Sequence, residues 1–225
     1  MILLIARGLK YSNKESKEIA FVSSFSNNIF VGAPIAIAIF GAQGLIIAIF
    51  YDFGMHLVVW SLGVWLLNSS EKNRERNFLK NIFSAPIVAL LFSIIVVMLR
   101  INVPEIIINI SENIANITVP LAMIFIGLKL AQSRVKNLFG NKKIYLISVL
   151  RLLIIPSLVY LGSGLFSLPD LYRGVITILA SMPVFATSPV IMQKFNHNGD
   201  LASEAIFATI VFMIFTLPLF IYITI

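Results

Sequence analysis

"FSNNIFVGAPIAIAIFGAQG", Phe25 to Gly44, is apolar enough to enter a membrane but is interrupted where a membrane helix is normally continuous. Asn27 and Asn28 carry amide side chains into it, and Gly32-Ala33-Pro34 removes a backbone donor in mid-span. A mid-helix proline deletes one hydrogen bond and clashes with the carbonyl four residues back. In lipid the freed groups are costly, so the break must be buried in protein or line a polar cavity. The segment is therefore expected to form half of a site rather than to face lipid. At a break placed at Gly32–Pro34, free amides and the positive end of a half-helix dipole would meet the cavity, an arrangement suited to anions. The plainer alternative is a kink at Pro34, with Asn27 bonded to a neighbouring helix.

Composition agrees with a membrane. The chain has 225 residues, of which 59% are hydrophobic and 12% charged, and its mean hydropathy is +0.95. Soluble chains are about 45–50% apolar and about 25% charged, so no soluble core of this size hides so much apolar surface. Apolar stretches near the crossing length of about 20 residues run over 19–40, 45–67, 78–101, 106–130, 144–166, 171–195 and 201–225. Residues 1–9 form a stub too short to cross alone, and no cleavable signal precedes the first span. Nothing alternates with period two for long enough to build a barrel, so the expected class is an all-α integral membrane protein with about seven full spans. Cysteine is absent, which removes disulfides, a thiolate nucleophile and thiolate metal sites.

The net charge of +7 is placed by topology rather than by nucleic acid. Basic clusters sit at Arg7–Lys17, Lys72–Lys80 and Arg134–Lys143, with Lys194 after the sixth span. Two spans separate successive clusters, so all fall on one side; the opposite side keeps Arg100 and Arg173. The positive-inside rule makes the basic side cytoplasmic and the C-terminus external in a cell-membrane protein.

Shifting the chain against itself by about 155 residues aligns Pro34 with Pro189, Phe40 with Phe195 and Gly44 with Gly199. The two segments cross in opposite directions, which is an inverted repeat. Paired interrupted segments in such repeats point to a transporter's midplane site.

Several motifs carry a family resemblance. "SNNIFVGAPIAIAIFGAQGL" (Ser26–Leu45) is similar to the asparagine–x4–glycine–x–proline helix of the auxin efflux carrier family. "YDFG" (Tyr51–Gly54), "ITVPLAMIFIGLKLA" (Ile117–Ala131), "RLLIIP" (Arg151–Pro156) and "MPVFATSPVIMQKF" (Met182–Phe195) follow in the family's order and spacing. The resemblance, which extends in fold to bile acid:sodium symporters, implies an inverted-repeat transporter of ten helices with two crossed discontinuous helices. It implies that residues 1–77 and 132–225 are transport-domain parts of the two repeats and that 78–131 are scaffold helices. It also implies that this chain lacks two helices and most of a third, and it leaves room for a homodimer through the scaffold.

By the same resemblance Asn27 is the ligand asparagine, seven residues before Pro34, and donates to a carboxylate, while Asn28, about 100° round the helix, is a capping candidate. Gly32 and Pro34 shape that half of the site, and Pro183, Thr187, Ser188 and Pro189 shape the other. Bacterial relatives often carry asparagine where this chain has Thr187. Thr187 and Ser188 can still donate hydroxyls; the alternative is back-bonding to the carbonyl four residues earlier. Pro183 and Pro189 are two candidate break points, and the sequence does not choose between them.

Ionisable residues inside spans are functional candidates. Asp52 and His56, four apart on one helix face, form either a coupling proton pair or a packing pair. Arg151 reads as a structural counter-charge or a snorkelling side chain before a ligand, and Glu204 as an amphipathic helix end before a coupling group. No nucleophile elbow, phosphate loop or zinc motif is present, so enzymatic activity, cofactors, metals and nucleic-acid partners are not expected. The expected function is elevator-type transport of a small organic anion across the bilayer, such as a dicarboxylate or an auxin-like acid. The alternatives are a channel, a sensor-type membrane protein or a non-transporting remnant.

Overall fold

The computed structural model describes residues 1–67, 85–132 and 140–225. The basic residues Lys72–Lys80, Arg134 and Lys136, and the expected boundary at 77/78, lie outside the described residues.

Ser12 opens the first long segment. Its hydroxyl accepts from the Glu15 amide (3.2 Å) while the Glu15 carboxylate accepts from the Ser12 amide (2.9 Å), a reciprocal cap. Helix α2 (Asn13–Ser24) follows this cap, and a short helix α1 (Ile2–Gly8) packs on it. The Glu15 carboxylate also receives the Lys143 ammonium at 2.6 Å. That ammonium and the Ser12 bonds hold the Glu15 carboxyl down to about 2. The tie is thus complete above the ordinary carboxylate range and is lost as pH falls towards the lowered value; being partly exposed, it is worth at most about 1 kcal/mol.

After α2 the chain is extended through Phe25, then resumes as a π-turn (Asn28–Gly32) and helix α3 (Ala33–Val58). Asn28–Leu67 is 40 residues of apolar helix. At 1.5 Å per residue that is about 60 Å, twice a hydrocarbon core, and the chain solves the excess by folding back. Gly41 takes φ 65° and ψ −156°, a conformation open essentially to glycine. Three residues on, a Cβ at Gly44 would stand 2.6 Å from the Ala36 carbonyl, so a glycine is needed where the two arms meet. Ala33, Ala36 and Ala48 bury between these arms. A second π-turn (Val59–Gly63) and α4 (Val64–Leu67) complete the return arm.

Helices α5 (Ala85–Met98) and α6 (Glu105–Gln132) expose large apolar side chains, among them Phe92, Val97, Ile106 and Leu121. Their serines are silenced for such a setting, Ser93 and Ser111 each donating to the carbonyl four residues back (2.8 Å each). Pro120 sits inside α6, and α6 packs against the Asn28–Gly32 turn.

Helix α7 (Lys142–Val149) runs through a third π-turn (Leu150–Ile154) into α8 (Ile155–Leu165), the π-turn absorbing Pro156. Helix α9 (Asp170–Ala180) ends before an irregular stretch, after which come α10 (Ser188–Lys194) and α11 (Gly199–Thr224), the last capped by the Asn198 side chain on the Leu201 amide (3.1 Å). Among the described residues the regular structure is helical, with one isolated bridge, and 142–165 and 199–224 are again long and apolar enough to cross a bilayer. The main core joins α2, α7, α10 and α11 through side chains such as Phe21, Ile147, Met192 and Ala205.

Candidate functional site

Two breaks meet in the middle of the bundle, and they pair with each other. The Asn27 amide donates to the Pro183 carbonyl (2.9 Å), and the Phe185 amide donates to the Phe25 carbonyl (3.0 Å). Ser26 and Val184 face each other as an antiparallel bridge. The Val184 amide, pointing away from that bridge, is taken by the Thr209 hydroxyl of α11 at 3.1 Å. The Asn27, Val184 and Phe185 amides and the Phe25 and Pro183 carbonyls, left without helical partners by the unwinding, are thereby satisfied across the crossing or by the neighbouring helix, as a membrane interior favours.

The first break therefore lies at Phe25–Asn27, not at Gly32–Pro34 as the sequence suggested. Pro34 stands in the first turn of α3 behind a π-turn, where a missing amide hydrogen leaves nothing unpaired. Gly32 has a different reason: a Cβ there would lie 2.7 Å from Leu179 Cδ2 and 3.0 Å from Met182 Cγ, side chains of the second chain. In the second chain Pro183 lies within the break, and Pro189 occupies the first turn of α10.

The carbonyl ends of both half-helices converge on one side chain. Arg151, 1% exposed, donates from Nε to the Met182 carbonyl (3.1 Å) and from Nη2 to the Ala180 carbonyl. Its Nη1 reaches the Ser23 and Ser24 carbonyls at 3.3 and 3.2 Å. One guanidinium thus caps the C-terminal ends of α2 and α9 together, opposite charge against two negative dipole ends. This is the counter-charge arrangement; a snorkelling side chain would reach the surface, and this one is buried.

Polar side chains at the crossing divide into two groups. Asn28 is tied down: its carbonyl oxygen accepts from the Ser26 hydroxyl (2.7 Å) and its amide nitrogen lies 3.2 Å from Met55 Sδ, so it does not cap the helix. Asn27, 2% exposed, leaves its side-chain nitrogen, Nδ2, buried without a hydrogen-bond partner among the described residues. Ser188 on the second chain does the same with its hydroxyl, so it is not bonded back to its helix. Thr187, beside it, is exposed. A buried donor left unmade costs about 1–3 kcal/mol, which makes Asn27 and Ser188 candidates for a ligand's oxygens.

Asp52 and His56 approach the crossing from the return arm of α3. His56 Nδ1 lies 3.1 Å from Asp52 Oδ2 and 3.0 Å from the Asp52 carbonyl, and the ring stands edge-on to Phe185 with centroids 5.4 Å apart. Glu204 is half-buried near the start of α11, five residues and so about 7.5 Å of helix before Thr209. Ser26, Met55, Phe185 and Thr209 hold this site and were not singled out from the sequence.

The family described as membrane transport protein matches residues 1–221. An uncharacterized transporter of Methanothermobacter thermautotrophicus is 30% identical over 197 residues, covering 88% of this chain and 64% of that protein. One of Methanocaldococcus jannaschii is 27% identical over 214 residues, covering 93% of this chain and 69% of that protein. The chain thus spans about two thirds of the length of these relatives.

Proposed function

The chain belongs to the membrane transport protein family, that of the auxin efflux carriers, and from that membership we propose that it carries a small organic anion across the membrane by alternating access. One observation carries the choice of an anion: the orphaned donors of Asn27 and Ser188 lie on the two chains of a crossing whose fixed charge, Arg151, is cationic and bonded to carbonyls. Donors without acceptors, on segments whose ends a buried guanidinium holds, suit a carboxylate better than a cation. A dicarboxylate or an auxin-like aromatic acid fits this chemistry. Asp52 and His56, against Phe185, are where a coupling proton would reach the site.

The motion follows from the pairing of the breaks. The crossed chains share backbone bonds, so they move together, and α6 beside the Asn28–Gly32 turn is the wall they slide along. In this division residues 1–77 and 132–225 travel and 78–131 stay.

The site is tested on the full-length carrier in proteoliposomes with a panel of mono- and dicarboxylates. Asn27→Ala is expected to weaken binding of the preferred acid by roughly 1–3 kcal/mol, the range for a hydrogen bond to a charged group. Ser188→Ala should weaken it as well, while both variants insert normally, because neither side-chain donor is bonded to another part of the fold among the described residues. Unchanged binding in both would assign the two donors to structure and remove the site.

Orientation has its own test, since the chain contains no cysteine. With the basic end in the cytoplasm, cysteines placed singly at Lys14 and Lys142 should resist an impermeant reagent applied to intact cells, and one at Ile225 should react. Labelling at 142 from outside would invert the proposed topology.

A further inference from the structure

Away from the crossing, at the basic end of the bundle, three distant segments meet at one imidazole. His197 Nδ1 lies 3.1 Å from Glu18 Oε1, and His197 Nε2 lies 3.0 Å from the Leu67 carbonyl oxygen. The Asn198 amide donates to the same Glu18 oxygen at 3.1 Å. The side chains of His197 and Glu18 are 7% and 4% exposed. Glu18 belongs to α2, the first half of one broken helix; His197 follows α10, the second half of the other; Leu67 lies on the return arm of the hairpin.

Both ring nitrogens face acceptors. A neutral imidazole has one N–H, so it would turn a lone pair towards either the carboxylate or the carbonyl. The imidazolium donates to both and places its charge against Glu18. The charged groups around the pair are few among the described residues. Lys14 acts on Glu18 from one turn earlier on α2, Lys17 precedes Glu18, Lys194 stands 5.9 Å from the Phe195 ring, and Asp200 is exposed in the first turn of α11. No charged residue occurs on α4.

We propose that Glu18 and His197 form a proton-binding site, and that the bound proton fastens the return arm at Leu67 to both crossed segments. On deprotonation the Nε2 proton leaves to water and Nδ1–H stays on Glu18. The Leu67 carbonyl then faces a lone pair, and this contact opens. The ligand is a proton, and the element it releases is the arm that carries Asp52 and His56.

The test needs neither substrate nor transport, so its failure is distinct from that of the carrier reading. The chain has two histidines, and in a His56→Gln background 15N-labelled histidine reports His197 alone. In lipid nanodiscs near pH 6, the full chain should show both ring nitrogens protonated. Glu18→Gln, which keeps the shape but removes the charge, should lower the titration midpoint by about one unit or more. A second readout is the distance between spin labels at Trp65→Cys and Asp200→Cys. It should broaden above the midpoint, and at every pH when His197→Ala is added. A neutral imidazole at pH 6, a midpoint unmoved by Glu18→Gln, or a label distance indifferent to pH and to His197→Ala would each overturn the proposal.

Discussion

Arg151→Leu is expected to yield little or no folded protein, the largest effect of any single substitution in this chain. The guanidinium donates to carbonyls at Ser23, Ser24, Ala180 and Met182, the ends of two half-helices that have no further turn to donate to them. Leucine would fill part of the volume and leave those carbonyls buried and unmade, at about 1–3 kcal/mol each. Taken together that approaches a whole domain's stability of about 5–15 kcal/mol. Arg151→Lys should fall between, because an ammonium restores the charge but cannot fan its donors across two chains as a planar guanidinium does. Size-exclusion behaviour and the melting midpoint in detergent read this directly. A leucine variant that elutes and melts like the parent would show the guanidinium to be dispensable.

Locking the crossing to α6 is expected to abolish transport while one-sided binding persists. The lock is a disulfide between a cysteine in the Asn28–Gly32 turn and one on the facing turns of α6. The bonds between the two breaks run through Phe25, Asn27, Pro183 and Phe185, and a lock at Ile29 or Phe30 replaces none of these residues. Substrate should then bind from one side with its usual affinity, and flux should return on reduction. Full flux through completely cross-linked protein would refute a sliding unit.

Much of this architecture is legible in the chain before any coordinates. Apolar length marks the helices, and the prolines signal that two of them fail. What escapes is where the failure falls. Pro34 looks like the fault, yet a π-turn and a first-turn position absorb it, while Phe25–Asn27, with no proline, is the stretch that unwinds. Its reason is a partner about 160 residues away, the Pro183–Phe185 backbone, and no local pattern announces such a mate. Gly32 is similar: its need for glycine comes from Leu179 and Met182 across the crossing. Asn27 and Asn28 are adjacent and chemically identical, and only three-dimensional neighbours separate the bonded amide from the free one. Arg151 was recognisable as a buried charge, but its partners are carbonyls, which every residue possesses and sequence therefore cannot single out.

The bridge between Ser26 and Val184 also constrains how the protein can be made. A ribosome adding 5–20 residues per second needs roughly 8–30 s to travel from Phe25 to Phe185. For that interval the first unwound stretch has no mate, and its exposed amides and carbonyls cannot rest in hydrocarbon. The nascent segment must wait at a wetted interface, in the lateral gate of the insertion machinery or in the care of a membrane chaperone. Biogenesis of this membrane protein is therefore expected to be completed late: helices enter in order of synthesis, but the N-terminal break settles into the bilayer only when its C-terminal counterpart arrives.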